Sequence, residues 1–229
     1  MWNTRRCENY ASSAKSSSSV SSSHQQHLIN AYGQWMRGLI DEGWEGYLLT
    51  FEFRTLSGSL PARIAQMERD LQFWYGRLLT RMFRHPRSQD SAPILPRVVL
   101  APDLARYKRR WTGDARNAPN GGLHYHAIAM ARRTRRIMCP LDAHIREKEA
   151  AYLVGRICHI DARPIDHSVE YVTDYAMKTA KASPYIGDHI MILPRGEEES
   201  VFYGNRYMAV RGNENAPDVR PSSRVIRRD

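Results

Sequence analysis

Apolar and polar positions alternate along the chain with two different periods, and the switches between them mark out the elements. In residues 27–40, Leu28, Tyr32, Trp35, Met36 and Leu39 recur at helical spacing, which predicts an amphipathic helix packed beside a sheet. Residues 41–46 break that pattern. From Tyr47 the period becomes two, with Leu49, Phe51 and Phe53 on one face and Thr50, Glu52 and Arg54 on the other, the pattern of a strand covered on one side through Leu56. Pro61 then opens a long helix that turns Ile64, Met67, Leu71, Trp74, Leu78 and Met82 inward, while Arg63, Arg69, Arg77 and Arg81 form a solvated face. A second strand, residues 97–101, is followed by Pro102 and Asp103, and a third follows Gly121-Gly122. After Pro140 a helix is predicted through Tyr152. A fourth strand follows at residues 155–165, and then a helix with Asp166 as N-cap that ends near Ser183-Pro184. Residues 190–194 and 200–210 read as small strands. The second and third strands are joined by a loop and can pair as a hairpin. The expected architecture is α+β, a central antiparallel sheet with flanking helices lying to one side.

Composition adds a partner and a compartment to this outline. Among 229 residues, 34 Lys and Arg against 24 Asp and Glu give a net charge of +10, and the isoelectric point near 9.8 favours a polyanionic partner. Cys7, Cys139 and Cys158 have no paired spacing, which fits a reducing compartment better than a disulfide scaffold. Neither a signal-peptide core nor an apolar run of the ~20 residues needed to span a membrane is present, so the expected location is cytoplasmic, away from membranes. Residues 1–23 are Ser-rich and expected to be disordered, residues 24–200 to form the folded domain, and residues 201–229 to be a basic, partly disordered tail. No phosphate-binding Walker loop occurs, so the chain encodes no helicase engine.

Two stretches carry candidate chemistry. In a strand, His124 and His126 project from one face and can grip a single metal ion. Some fifty residues later, on a helix, Tyr171, Tyr175 and Lys178 fall at i, i+4 and i+7 and would share one face. The first stretch offers a Lewis acid and the second a nucleophile. Two basic segments are candidates for contact with nucleic acid: Lys108, Arg109, Arg110 and Trp111, where cations alternate with rings on which bases stack at about 1–3 kcal/mol each, and Arg132 with Arg133 just after the histidine strand.

These residues resemble the HUH single-strand DNA endonucleases, which comprise rolling-circle replication initiators, related transposases and relaxases. The family's hydrophobic strand matches Tyr47 to Phe53, its His-hydrophobic-His motif matches His124-Tyr125-His126, and its Tyr-x-x-Lys motif matches Tyr175-Ala176-Met177-Lys178. The doubled tyrosine is similar to two-tyrosine initiators, with the difference that Asp174 stands where a second lysine often follows the first tyrosine. The resemblance, over roughly residues 45–182, implies metal-dependent nicking and joining of single-stranded DNA through a 5′-phosphotyrosine. It further implies an origin or transposon-end hairpin as substrate, and a host helicase and polymerase as partners. It implies a third, acidic ligand from the strand before the histidines, Asp103 being the choice and Asp114 the alternative, whereas His159 reads as structural. Imidazole and carboxylate ligands with open positions suit Mn²⁺ or Mg²⁺. A transposase remains an alternative with the same chemistry, and a non-catalytic nucleic-acid-binding protein is an alternative of another class.

Overall fold

The computed structural model of the chain describes residues 8–104 and 119–195, with side chains from residue 24 onward except at position 184. Helix α1 (Glu8–Asp41) leads into strand β1 (Glu45–Phe53), followed by helix α2 (Leu60–Met82) and strands β2 (Arg97–Leu104) and β3 (Leu123–Ala131). Short helices α3 (Leu141–Glu147) and α4 (Glu149–Tyr152) precede strand β4 (Ile157–Pro164). Helices α5 (Val169–Ala176), α6 (Lys178–Ala182) and α7 (Pro184–Gly187) then lead to strand β5 (Met191–Leu193). The first helix begins inside the Ser-rich stretch, well before residue 27, since extending a formed helix costs far less than starting one. It ends in a Schellman motif: Gly43, at φ +85°, is in the left-handed region, while its N–H donates to Ile40 O at 2.8 Å and that of Trp44 to Leu39 O at 3.0 Å.

Among the described residues the strands form one antiparallel sheet in the order β4-β1-β3-β2-β5, with the histidine strand at its centre and the expected β2–β3 hairpin beside it. Helices cover both faces and do not lie to one side as expected. Phe51 packs edge-on against Trp74 of α2, ring centroids 4.8 Å apart, and the Tyr125 hydroxyl on the same face reaches Glu68 of α2 at 3.4 Å. The neighbouring positions Thr50, His124 and His126 point the other way, toward the side where α5 meets β3 and α6 meets β2. The reason is legible in β3 itself. Residues 127–131 are apolar at every position and all buried, which is the signature of a strand covered twice.

The inward residues predicted for α2, Ile64, Met67, Leu71, Trp74, Leu78 and Met82, are all buried, while Arg69, Arg77 and Arg81 are exposed. Three boundaries differ from expectation. The helix after Pro140 breaks at Lys148. The tyrosine helix breaks at Met177, whose φ of −104° and ψ of 15° leave the helical basin. Its N-cap is Ser168, whose hydroxyl accepts from Tyr171 N at 3.2 Å. Asp166 lies too far upstream to reach those amides and pairs instead with His167 at 2.6 Å. The strand expected at residues 200–210 lies outside the described residues, as do Lys108, Arg109, Arg110, Trp111 and Asp114.

Candidate metal centre

The β2–β3 register sets Asp103 directly across from His124 and Ala101 across from His126, so the carboxylate and both imidazoles project from one face at one end of the hairpin. Strand β2 runs through Pro102 and Asp103 to Leu104, further than residues 97–101 alone suggest. Asp103 Oδ2 lies 3.3 Å from each of His124 Nε2 and His126 Nε2, and the two nitrogens are 3.2 Å apart. Ligands bound about 2.0–2.3 Å from one ion at adjacent tetrahedral or octahedral positions are themselves separated by about 3–3.5 Å, so this triangle has the size of one face of a coordination sphere. Asp103 and His126 are buried and His124 is partly open. A buried Asp103-His124-His126 group of this kind can hold a divalent metal ion.

Each ligand is held from behind. Gly122 O accepts from His124 Nδ1 at 2.9 Å; a carbonyl can only accept, so that nitrogen carries the hydrogen and Nε2 is the nitrogen turned toward Asp103. His126 Nδ1 lies 3.1 Å from Thr50 Oγ1. Thr179 donates to Asp103 Oδ1 and Lys178 to Oδ2. Burial alone would push the Asp103 carboxyl up, but donors from His124, His126, Lys178 and Thr179 outweigh it and hold the group far below the ordinary carboxylate range, as a full anion. Burial lowers the affinity of both histidines for a proton. At His124 the hydrogen bonds to Asp103 and Gly122 reverse the sign and raise it, while at His126 burial, together with the charge of His124, prevails and lowers it.

Helix α5 brings Tyr175 to this cluster. Its ring centroid is 5.8 Å from that of His126, and the Lys178 ammonium sits 4.4 Å over the Tyr175 ring while also paired with Asp103. The break at Met177 starts Lys178 on a new helix and leaves it able to touch both. Tyr171, one turn earlier and 65% exposed, packs instead near His167, ring centroids 6.2 Å apart. Asp174 does not face Tyr171's surroundings unopposed: it receives Lys181 Nζ at 2.5 Å and Gln26 Nε2 at 3.3 Å.

The other basic candidates stand apart. Arg132 and Arg133 follow the far end of β3, about 26–30 Å from His124 at ~3.3 Å per residue. Arg132 lies 4.8 Å over the Trp44 ring and donates to Glu42 O at 2.7 Å, and Arg133 pairs with Glu45 at 2.8 Å. His159 pairs with Glu149 at 2.9 Å, away from the triad.

Helix α5 is fastened to α1 by a two-pronged contact in which Arg37 Nε and Nη2 each donate to Glu170 at 2.9 Å. The helices approach closely at Gly33, where a Cβ would stand 3.2 Å from Glu170 Cα. Chiefly the Arg37 hydrogen bond, helped by the Glu170 amide and Ser168, pushes the Glu170 carboxyl down to about 2. A depressed carboxyl stabilises the fold fully above its unfolded value of about 4.3 and loses that contribution as pH falls through its folded value. Thermal melts of wild type and Arg37→Ala should therefore differ slightly at neutral pH, with Arg37→Ala the less stable, and converge near pH ~2. A gap that persists undiminished in acid would show that the pair contributes through packing alone.

No helix among the described residues is long and apolar enough to cross a membrane. No family model matches the chain, and neither does any curated protein or solved structure. The antiparallel sheet flanked by helices and the buried Asp-His-His cluster are compatible with a metal site of the HUH type.

Proposed function

We propose that the chain is an HUH-type endonuclease that nicks and rejoins single-stranded DNA through a phosphotyrosine link, using Mn²⁺ or Mg²⁺. The observation that carries this reading is the convergence of Tyr175 and Lys178 on the triad: the tyrosine ring lies beside His126 and the lysine spans Asp103 and that ring. Asp103, His124 and His126 would hold the ion. When bound, it supplies Lewis-acid charge to the scissile phosphate.

The chain's own residues supply the remainder. The Tyr175 hydroxyl attacks phosphorus and its proton leaves to solvent. One O–P bond forms to the phenol, and the bond to the 3′-oxygen breaks, that oxygen departing as a hydroxyl after taking a proton. The ammonium of Lys178, 4.4 Å over the Tyr175 ring, offsets negative charge that develops on the attacking tyrosine. The covalent phosphodiester keeps the bond energy for rejoining. The basic surface of a chain with net charge +10 holds the strand through its phosphates. A replication initiator and a transposase share this chemistry and differ in the DNA recognised.

Incubating the full chain with a labelled single-stranded oligonucleotide library and Mn²⁺, followed by intact mass spectrometry, tests the reading. The expected product is protein heavier by a DNA fragment attached through its 5′ end. Tight binding with neither cleavage nor adduct would identify a non-catalytic nucleic-acid-binding protein instead.

A further inference from the structure

We propose that Thr50 and Thr179 are the positioning residues of the metal centre, each hydroxyl orienting one ligand so that its binding atom faces the ion. The inference rests on the Asp103-His124-His126 reading and adds residues to it. The torsions that turn a carboxylate or imidazole plane, χ2 of Asp and His, are broad and have weak intrinsic preference. Something else must decide which oxygen of Asp103 and which nitrogen of each histidine points inward.

Each ligand has one such partner. His124 is turned by a backbone carbonyl, Gly122 O. His126 has Thr50, which stands directly across from it in the β1–β3 register and so on the same face. Nε2 is turned to Asp103 and His124, and Nδ1 lies 3.1 Å from Thr50 Oγ1; when Nε2 binds an ion, Nδ1 carries the hydrogen and Thr50 Oγ1 accepts it. This selects the tautomer whose Nε2 lone pair is free. Asp103 has Thr179, whose hydroxyl donates to Oδ1 and accepts from Leu104 N at 3.3 Å. With Oδ1 so engaged, Oδ2 is the oxygen turned toward both imidazoles, where Lys178 also reaches it. Thr179 is buried and adjoins Lys178, so the same residue that orients the carboxylate also anchors the start of α6 against β2. The orientation of Asp103 and the placement of the Tyr175-Lys178 pair are therefore tied through one hydroxyl.

Thr→Val keeps the branched shape and removes only the hydroxyl, while Thr→Ser keeps the hydroxyl and loses a methyl. Isothermal titration of the full chain with Mn²⁺, with the low-temperature spin-resonance signal of the bound ion as a second readout, compares Thr50→Val, Thr179→Val and the corresponding Ser variants. Each Val variant should bind Mn²⁺ about 10–100-fold more weakly. Each Ser variant should bind close to wild type, even where its metal-free melting temperature falls as much as that of the Val variant. Wild-type affinity in both Val variants, alongside lost binding in His126→Ala, would overturn the positioning roles and leave the triad intact. Equal losses in Val and Ser would overturn them too, since methyl packing and not the hydroxyl would be responsible. Absence of Mn²⁺ binding in the wild type would overturn the triad reading and this inference together.

Discussion

Replacing His124 and His126 together by alanine is expected to abolish metal-dependent cleavage while leaving binding of single-stranded DNA largely intact. Lewis-acid stabilisation of a phosphoryl transition state amounts to several kcal/mol, and each 1.36 kcal/mol is tenfold in rate, so cleavage should fall by at least about a hundredfold to a thousandfold. Affinity should change little, because phosphate contacts by Arg and Lys supply most of it. Asp103 is not left as an uncompensated buried charge in the double variant, since Lys178 and Thr179 still reach it. Circular dichroism should therefore report a folded chain, and calorimetry should report lost Mn²⁺ binding. Cleavage at the wild-type rate in the double variant would remove the histidines from the mechanism.

The second large effect separates the two tyrosines. Tyr175→Phe should lose the covalent DNA adduct completely, because phenylalanine keeps the ring beside His126 and under Lys178 but has no oxygen to attack phosphorus. Tyr171→Phe should retain the adduct. The reason is position more than local charge. From the sequence, Asp174 beside Tyr171 suggests a carboxylate that disfavours a phenolate there, but Lys181 and Gln26 engage that carboxylate. What sets Tyr171 apart is its place one turn, about 6 Å, further along the helix axis, next to His167 and away from the triad. Should Tyr171 serve a second strand transfer, Tyr171→Phe would nick normally and fail to rejoin. Sequencing the DNA-linked peptide decides the matter, and an adduct confined to Tyr171 would reverse the two roles.

Much of this site was legible in the sequence wherever chemistry lies within one element. The two-residue period of a strand puts His124 and His126 on one face whatever packs nearby, and the long apolar stripe of α2 predicts its six inward residues correctly. Asp103 required the family resemblance, because nothing local tells a carboxylate at the end of β2 that it will meet a histidine of β3. The sequence predicts a continuous tyrosine helix. Its break at Met177 has no Gly or Pro to announce it, and propensity gives no warning at such a residue.

By itself, then, the amino-acid order determined the alternation of elements, the shared face of the two histidines, the basic charge and the pairing of a tyrosine with a lysine three residues on. Those properties depend on residue spacing and composition, which are local and survive any packing. Tertiary structure alone decided that Asp103, which the resemblance singled out, stands across from His124, and that Thr50 and Thr179 stand behind His126 and Asp103. It also decided that Lys178 reaches Asp103 and the Tyr175 ring at once. These depend on strand register and on helix breaks, which are fixed when buried surfaces from distant parts of the chain meet: Thr50 and His126 are 76 residues apart, and Asp103 and Thr179 are also 76 apart. No periodicity reaches across such separations. Only the register of β1 on β3, and the docking of α6 on β2, convert an ordinary strand threonine and an ordinary helix threonine into parts of one centre.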